Sequence, residues 1–276
     1  MLGAAIIVFR ESLEAALLVG IVAAAARTLP HRNRWLAGGI VAGILGSVAV
    51  AMAAGTIAEM ADGMGQEMLN AIVLGLAVTM LAWHNIWMSR HAREMISDAT
   101  SVVREVAEGA RELSAIAIVI AMAVLREGSE TVLFLFGMMS QEQSLGQVLS
   151  GGALGLAAGI GVGFGMYAGL LRVPVRWFFT VTAGLVLLLA AGMAGQMARF
   201  LIQGDIIPSL ANPLWDTSAW LSASSAVGTL LHVLAGYDPR PSAMQAIFYL
   251  GTVALIAVGM YLVRSPAAAS GRPATT

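Results

Sequence analysis

Apolar residues run through this chain in long blocks, not in the short periods of a half-buried helix or strand. Blocks long enough to cross a bilayer core of about 30 Å lie near 2–26, 35–58, 68–89, 114–139, 148–171, 177–202 and 243–263. They predict an all-α polytopic membrane protein with seven transmembrane helices. The first block has no basic leader and holds charges inside its apolar run, so it reads as a mature helix and not as a signal peptide. Residues 219–236 are also apolar, but Ser222, Ser224, Ser225, Thr229 and His232 make them wetter. That segment reads as a surface or re-entrant helix in an external loop, not as an eighth span.

The polar positions between the blocks alternate in sign. Arg27, Arg32 and Arg34 follow the first block, Arg90, Arg93, Arg104 and Arg111 the third, Arg172 and Arg176 the fifth, and Arg264 and Arg272 the last. The other connections carry Glu59, Asp62, Glu67, Glu142, Asp205, Asp216 and Asp238, with Arg240 as their one loop Arg. Because cytoplasmic loops are enriched in cations, this predicts a multi-pass protein of the cytoplasmic (inner) membrane, N-terminus outside and C-terminus inside.

An internal repeat organises the blocks. Arg10 to Glu14 aligns with Arg126 to Glu130, Gly38-Gly39 and Gly46 with Gly151-Gly152 and Gly159, and Gly75-Leu76 with Gly184-Leu185. Three spans per copy force the copies into opposite orientations, an inverted 3+3 arrangement with one C-terminal helix added. The expected organisation is a single transmembrane domain over 1–276. It comprises repeat one (1–90), a cytoplasmic linker helix (91–113), repeat two (114–202), an external loop (203–242), helix seven (243–263) and a disordered tail (264–276).

Composition sharpens the class. Hydrophobic residues make up 58% and charged residues 11%, which excludes a soluble domain of any size. The net charge is −1 and every cation is Arg, so no basic surface for nucleic acid is expected. With no Cys, metal chemistry is confined to oxygen, imidazole and thioether.

The chemistry lies in the charges inside the apolar blocks. Arg10-Glu11-Ser12-Leu13-Glu14 sits in the first and Arg126-Glu127-Gly128-Ser129-Glu130 in the fourth. An ionised Arg or acidic residue at the centre of a membrane helix costs roughly 2.5–3.5 kcal/mol on insertion scales, so six such groups must meet each other or a substrate. At about 100° per residue, an Arg shares one helix face with the Glu residues one and four positions on. Arg10 can therefore pair with Glu14, and Arg126 with Glu130. If the two faces oppose, four carboxylates outnumber two guanidiniums, which suits a small, hard, multiply charged cation. The chain holds its own control. Arg104-Glu105-Val106-Ala107-Glu108 fits the same Arg-Glu-x-x-Glu pattern but lies in the charged segment 90–113, where ordinary surface pairs are expected.

Secondary candidates are weaker. Glu59, Asp62 and Glu67, interleaved with Met60, Met64 and Met68, offer capture ligands in the first outer loop, although acids are common there and Met fills apolar gaps. His84 and Asn85 are polar groups at membrane depth and candidate path-lining residues. Met80, Met88, Met138, Met139, Met193 and Met197 offer a thioether route for Cu+, but read first as packing. Asp205, Asp216, His232 and Asp238 are candidates to face an external partner, or to form turns. An intramembrane hydrolase is disfavoured, since the chain has no His-Glu-x-x-His and no Asp within the spans. A proton-coupled carrier, whose Glu residues titrate instead of ligating, is the other alternative.

Paired Arg-Glu-x-x-Glu motifs in the first and fourth of seven helices resemble the oxidase-dependent iron transporter family, the high-affinity iron permeases with their bacterial EfeU-type members. Trp87-Met88-Ser89-Arg90-His91-Ala92-Arg93, Leu125-Arg126-Glu127-Gly128, Leu214-Trp215-Asp216-Thr217-Ser218 and Gly236-Tyr237-Asp238-Pro239 extend the likeness over nearly the whole chain. The resemblance implies that Glu11, Glu14, Glu127 and Glu130 handle iron, with Arg10 and Arg126 as their ion-pair partners. It implies iron as a transported substrate, not a resident cofactor, carried as ferric ion. It also implies external partners, either an oxidase or a haem peroxidase with a cupredoxin-like protein.

Overall fold

The computed structural model describes residues 1–60, 65–139, 144–169, 175–222 and 225–264. Among these, all regular structure is helical: α1 (Leu2–Ala25), α2 (Arg32–Met60), α3 (Gln66–Ala107), α4 (Ser114–Met139), α5 (Leu145–Tyr167), α6 (Val175–Gln203), α7 (Ala226–Ala235) and α8 (Ala243–Arg264), with a short 3-10 turn at Ala26–Thr28. Five stretches are long and apolar enough to cross a membrane: Arg32–Thr56, Gln66–Trp87, Leu145–Tyr167, Thr180–Gln203 and Ala243–Val263. The chain is therefore a multi-pass membrane protein. Helices α1 and α4, of 24 and 26 residues, have the length but each holds an Arg and two Glu within its apolar run.

One expectation changes. The third span does not end near residue 89 to be followed by a separate linker helix; α3 continues unbroken for 42 residues. At 1.5 Å per residue it is about 63 Å long, twice the hydrocarbon core. No Gly or Pro falls between Leu76 and Glu108, so nothing interrupts it until Gly109 takes a φ of +77°. Its far half is tied down by packing: Ala99, Val103 and Val106 bury against Val22, Leu36, Ile116 and Ile120. The segment around 219–236 forms only the 10-residue α7, about 15 Å long and too short to span. Ser225 Oγ accepts from the Gly228 N–H at 3.0 Å to start it, and Gly236 at φ +66° ends it.

The helices pack in an exchanged manner: α1 lies along α5, α2 along α4, and α3 against α6 and α8, while α1 and α4 also meet. Small residues make the close approaches possible. A methyl group on Gly39 would lie 2.6 Å from the Ala117 carbonyl oxygen, and on Gly43 2.6 Å from Val124 Cβ, so α2 sits directly on α4. On the other pair, Gly151 faces Met1 and Ala4, Gly155 faces Ala5 and Phe9, and Gly159 faces Ser12. Ser47 stands where the stripe of α2 meets Gly128, and its hydroxyl donates to the Gly43 carbonyl at 3.0 Å.

Asp62, Glu142, Arg172 and residues 265–276, including most of the expected tail, lie outside the described residues, as do the side chains of Glu59, Met88, Arg90, Arg93, Arg176 and Arg264.

The stripe generates a paired test. Gly155→Leu forces a side chain into the backbone of α1 and is expected to cost about 3 kcal/mol or more, whereas Gly161→Ala, which meets open space, is neutral or stabilising by up to about 1 kcal/mol. Thermal unfolding in detergent reads both; equal melting temperatures would contradict this packing.

Candidate metal centre

Helix geometry puts the two charged clusters on facing sides of α1 and α4. Arg10 Nε lies 3.0 Å from Glu14 Oε1, one turn along α1, and Arg10 Nη1 lies 3.6 Å from Glu11 Oε1. On α4, Arg126 Nε donates to Glu130 Oε1 at 3.2 Å and stands 3.9 Å from Glu127 Oε1. The i to i+4 pairs are those the sequence predicts. They are not equivalent, however: the Arg10 side chain is 3% exposed and that of Arg126 34%.

A third helix completes the cluster. His84 of α3 reaches between the two carboxylate sets, with Nδ1 in contact with Glu130 Oε2 and Nε2 at 3.7 Å from Glu14 Oε2 and 3.9 Å from Glu11 Oε2. One turn further along α3, the Trp87 ring lies beneath the Arg126 guanidinium, 4.3 Å from its centre, a cation–π contact. Asn85 points elsewhere: its Nδ2 donates to the Ala183 carbonyl at 3.1 Å and ties α3 to α6. His84, a weak candidate in the sequence, thus sits at the centre, and Trp87 enters the sequence reading only within the family likeness, with no role attached to it. The available signal for both was their spacing, since 84 and 87 fall on one face of α3.

Glu11, His84, Glu127 and Glu130 each offer one ligand atom within 4.8 Å of the others. Ligand atoms about 2.1 Å from a transition ion sit at most about 4.2 Å apart, so an inward shift of a few tenths of an ångström would close a coordination shell. Glu14 stands just behind, shared between Arg10 and His84. The donors are also unspent. Both oxygens of Glu11 and Glu14, one each of Glu127 and Glu130, and both ring nitrogens of His84 are buried without a well-aligned hydrogen bond among the described residues. Charge contacts hold them in place, but buried lone pairs left this way are costly unless a cation takes them up.

The remaining candidates are arranged differently. Glu67 is exposed at the start of α3. The control motif is a surface feature: Arg104 and Glu108 lie 3.9 Å apart with side chains 74% and 65% exposed, and Arg111 pairs with Glu105. Met138 and Met193 belong to the apolar core, with Met80 and Met197 packed against it. In the loop before α8, the Ser218 hydroxyl and backbone N–H, together with Arg240, hold the Asp216 carboxyl down at about 2. Asp238 Oδ1 accepts from the Arg240 N–H at 2.9 Å, and His232 Nδ1 lies 2.7 Å from the Tyr237 carbonyl oxygen. Those groups build the loop.

Comparison with known proteins gives this constellation a context. The chain matches the Iron permease FTR1 family over residues 1–268. It is 30% identical over 271 residues, covering 96% of this chain and 97% of the relative, to the "Ferrous iron permease EfeU" of Escherichia coli O6:H1 (strain CFT073). Proteins of the same name from Shigella sonnei (strain Ss046), 30% identical over 92% of this chain and 94% of the relative, and from Yersinia pestis, 27% identical over 88% and 87%, are similar throughout. No solved structure matches. With the match spanning nearly every residue, the chain belongs to the Iron permease FTR1 family, and is a membrane transporter rather than an enzyme.

Proposed function

We propose that this protein carries iron across the cytoplasmic (inner) membrane through a midplane site made by Glu11, Glu14, Glu127, Glu130 and His84. One observation carries the reading: buried carboxylates from two facing helices converge around one imidazole, with several oxygens left without a well-aligned hydrogen bond. Intramembrane acids arranged so are a liability unless a cation is their purpose.

The transporter frame follows from helix packing. Reciprocal contacts support an inverted repeat: Gly39 against Ala117 and Ile120 answers to Gly151 against Met1 and Ala4, and Gly43 against Ala121 answers to Gly155 against Ala5. Even the hydroxyls exchange, since Ser47 fits against Gly128 as Ser12 fits against Gly159. This register pairs Gly39 with Gly151, one residue away from the sequence alignment. The five apolar spans, with α1 and α4 crossing once their charges are internally paired, make seven. The distribution of Arg then sets the N-terminus outside and the C-terminus inside.

Charge arithmetic bears on the cargo. With His84 neutral, four carboxylates and two guanidiniums leave two negative charges, which a divalent ion cancels. Imidazole suits Fe2+ among hard and borderline ions, and the relatives' printed names say ferrous. Ferrous iron is therefore the first reading. Ferric iron, implied by the family resemblance, is the second and is favoured by the number of carboxylates. An external oxidase, or a peroxidase with a cupredoxin-like protein, belongs to that second reading only.

The two Arg residues have different parts in this scheme. Arg10, sealed in the bundle, fixes the empty site, while Arg126, half-exposed on Trp87, has room to leave Glu130 as the ion arrives.

Iron uptake into proteoliposomes is the direct test. Glu11→Gln, Glu127→Gln and His84→Ala should each lower radioactive iron uptake by roughly tenfold or more, with folded protein retained. Normal uptake by both Glu variants would remove the proposed site. Uptake maintained with ascorbate and abolished by ferric chelate supply marks the ferrous reading; the reverse marks the ferric one. Thermal melting separates the Arg roles: Arg10→Ala is expected to cost about 3–5 kcal/mol by leaving Glu14 buried with only His84 beside it, and Arg126→Ala clearly less. Equal losses would contradict that division.

A further inference from the structure

A cavity of about 380 Å³ opens at the end of the bundle that carries the N-terminus, between α1, α4, α5, α6 and α7. Gln147, Gln196, Thr229 and His232 supply its polar lining, and its deep end is Ile7, Met138 and Met193. Resting on the iron-permease reading above, we propose that this cavity is the outer vestibule through which hydrated iron reaches the carboxylates, and that Ile7, Phe134, Met138 and Met193 are the closed seal between the two.

Register places the seal directly on the path. Ile7 lies one turn before Glu11 on α1, and Phe134 one turn after Glu130 on the oppositely directed α4, so both stand on the N-terminal side of the acids. Ile7 and Phe134 are completely buried, Met138 and Met193 nearly so, and all four belong to one apolar cluster. From Ile7 to Glu11 the rise is only about 6 Å. A few side-chain rotations therefore separate the cavity floor from the first acid.

The lining suits a waiting hydrated ion. At about 30 Å³ per water, a six-water shell occupies roughly 180 Å³ and fits with room to spare. The polar side chains are amide, hydroxyl and imidazole with no carboxylate among them, and the α-amino group of Met1 lies at the same wall, so the lining replaces outer-shell water without holding the ion. Passage demands that kind of weak site before a strong one.

The roof is α7, held in the mouth by backbone contact. Gly236, which ends α7, and Gly192 of α6 touch so closely that a methyl group on Gly192 would lie 2.7 Å from Gly236 Cα. Access past α7 is then controlled at the outer face. The repeat sharpens the asymmetry: in its register Ile7 corresponds to Ala123 and Phe134 to Leu18, smaller and only partly buried residues on the opposite side of the acids. The bulk of the seal faces outward.

A chain without cysteine makes the test clean. Gln196→Cys and Thr229→Cys should react, in intact cells, with a positively charged, membrane-impermeant methanethiosulfonate, and the modified proteins should lose roughly fivefold or more of their iron uptake, because a fixed cation then occupies the path. Ala211→Cys, on the exposed outer loop away from the cavity, should react without changing uptake. Ile7→Cys should resist the reagent, and become reactive when Phe134→Ala is added. The proposal is overturned if neither cavity cysteine reacts from outside, if both react and uptake is unchanged, or if Ile7→Cys reacts with Phe134 in place. Labelling is read without iron, so the two readings fail separately. Normal uptake by Glu11→Gln with transport still blocked by labelled Gln196→Cys sinks the carboxylate site and keeps the vestibule. Loss of uptake in Glu11→Gln with labelling harmless sinks the vestibule alone.

Discussion

Six charged side chains in the apolar runs of α1 and α4 are the constraint on which this architecture depends. Neither helix can carry its cluster alone in lipid at acceptable cost, so the two must cross, and everything else is arranged to let them. The small residues of α2 and α5 press each companion helix onto its partner, which fixes the rotation of α1 and α4 and turns both charged faces inward. Packing and electrostatics are thus one problem: a bulky side chain at Gly155 would turn a carboxylate as surely as it would open a gap.

What was legible in the sequence follows from that constraint. The apolar blocks announced the helices, and the charges within two of them announced that those two must meet, because both signals are local along the chain. Arg104 to Glu108 marks the limit of motif reading. It has the same spacing as the buried clusters, yet lies on the surface, since depth and not pattern decides what such a cluster does. The continuity of α3 was obscured by its charges, which look like a boundary although only Gly or Pro would have imposed one.

His84 carried more weight than its place among the secondary candidates gave it. A lone His in an apolar helix is more often a partner in helix packing than a ligand, and Asn85 beside it does behave that way by binding the Ala183 carbonyl. Which of two adjacent polar residues faces the acids depends on the rotation of α3 against α6, and that is a tertiary property. Trp87 was hidden for the same reason. Its value appears only once Arg126 is seen above it.

On the proposed reading, the repeat accounts for the shape of the site, and departures from it account for direction. A perfectly symmetric pair of clusters would hold an ion equally from both sides and favour neither. Here α3 contributes His84 and Trp87 to one side of the pair, Arg10 is sealed while Arg126 is half-exposed, and Ile7 and Phe134 face smaller counterparts across the acids. Each asymmetry acts on the same few carboxylates, so in the proposed carrier a cation that cancels their excess charge would also weaken the hold of Arg126 and leave that of Arg10 in place. Charge neutralisation and loosening of one side then become a single event, which is the coupling a carrier needs between binding its cargo and opening toward release.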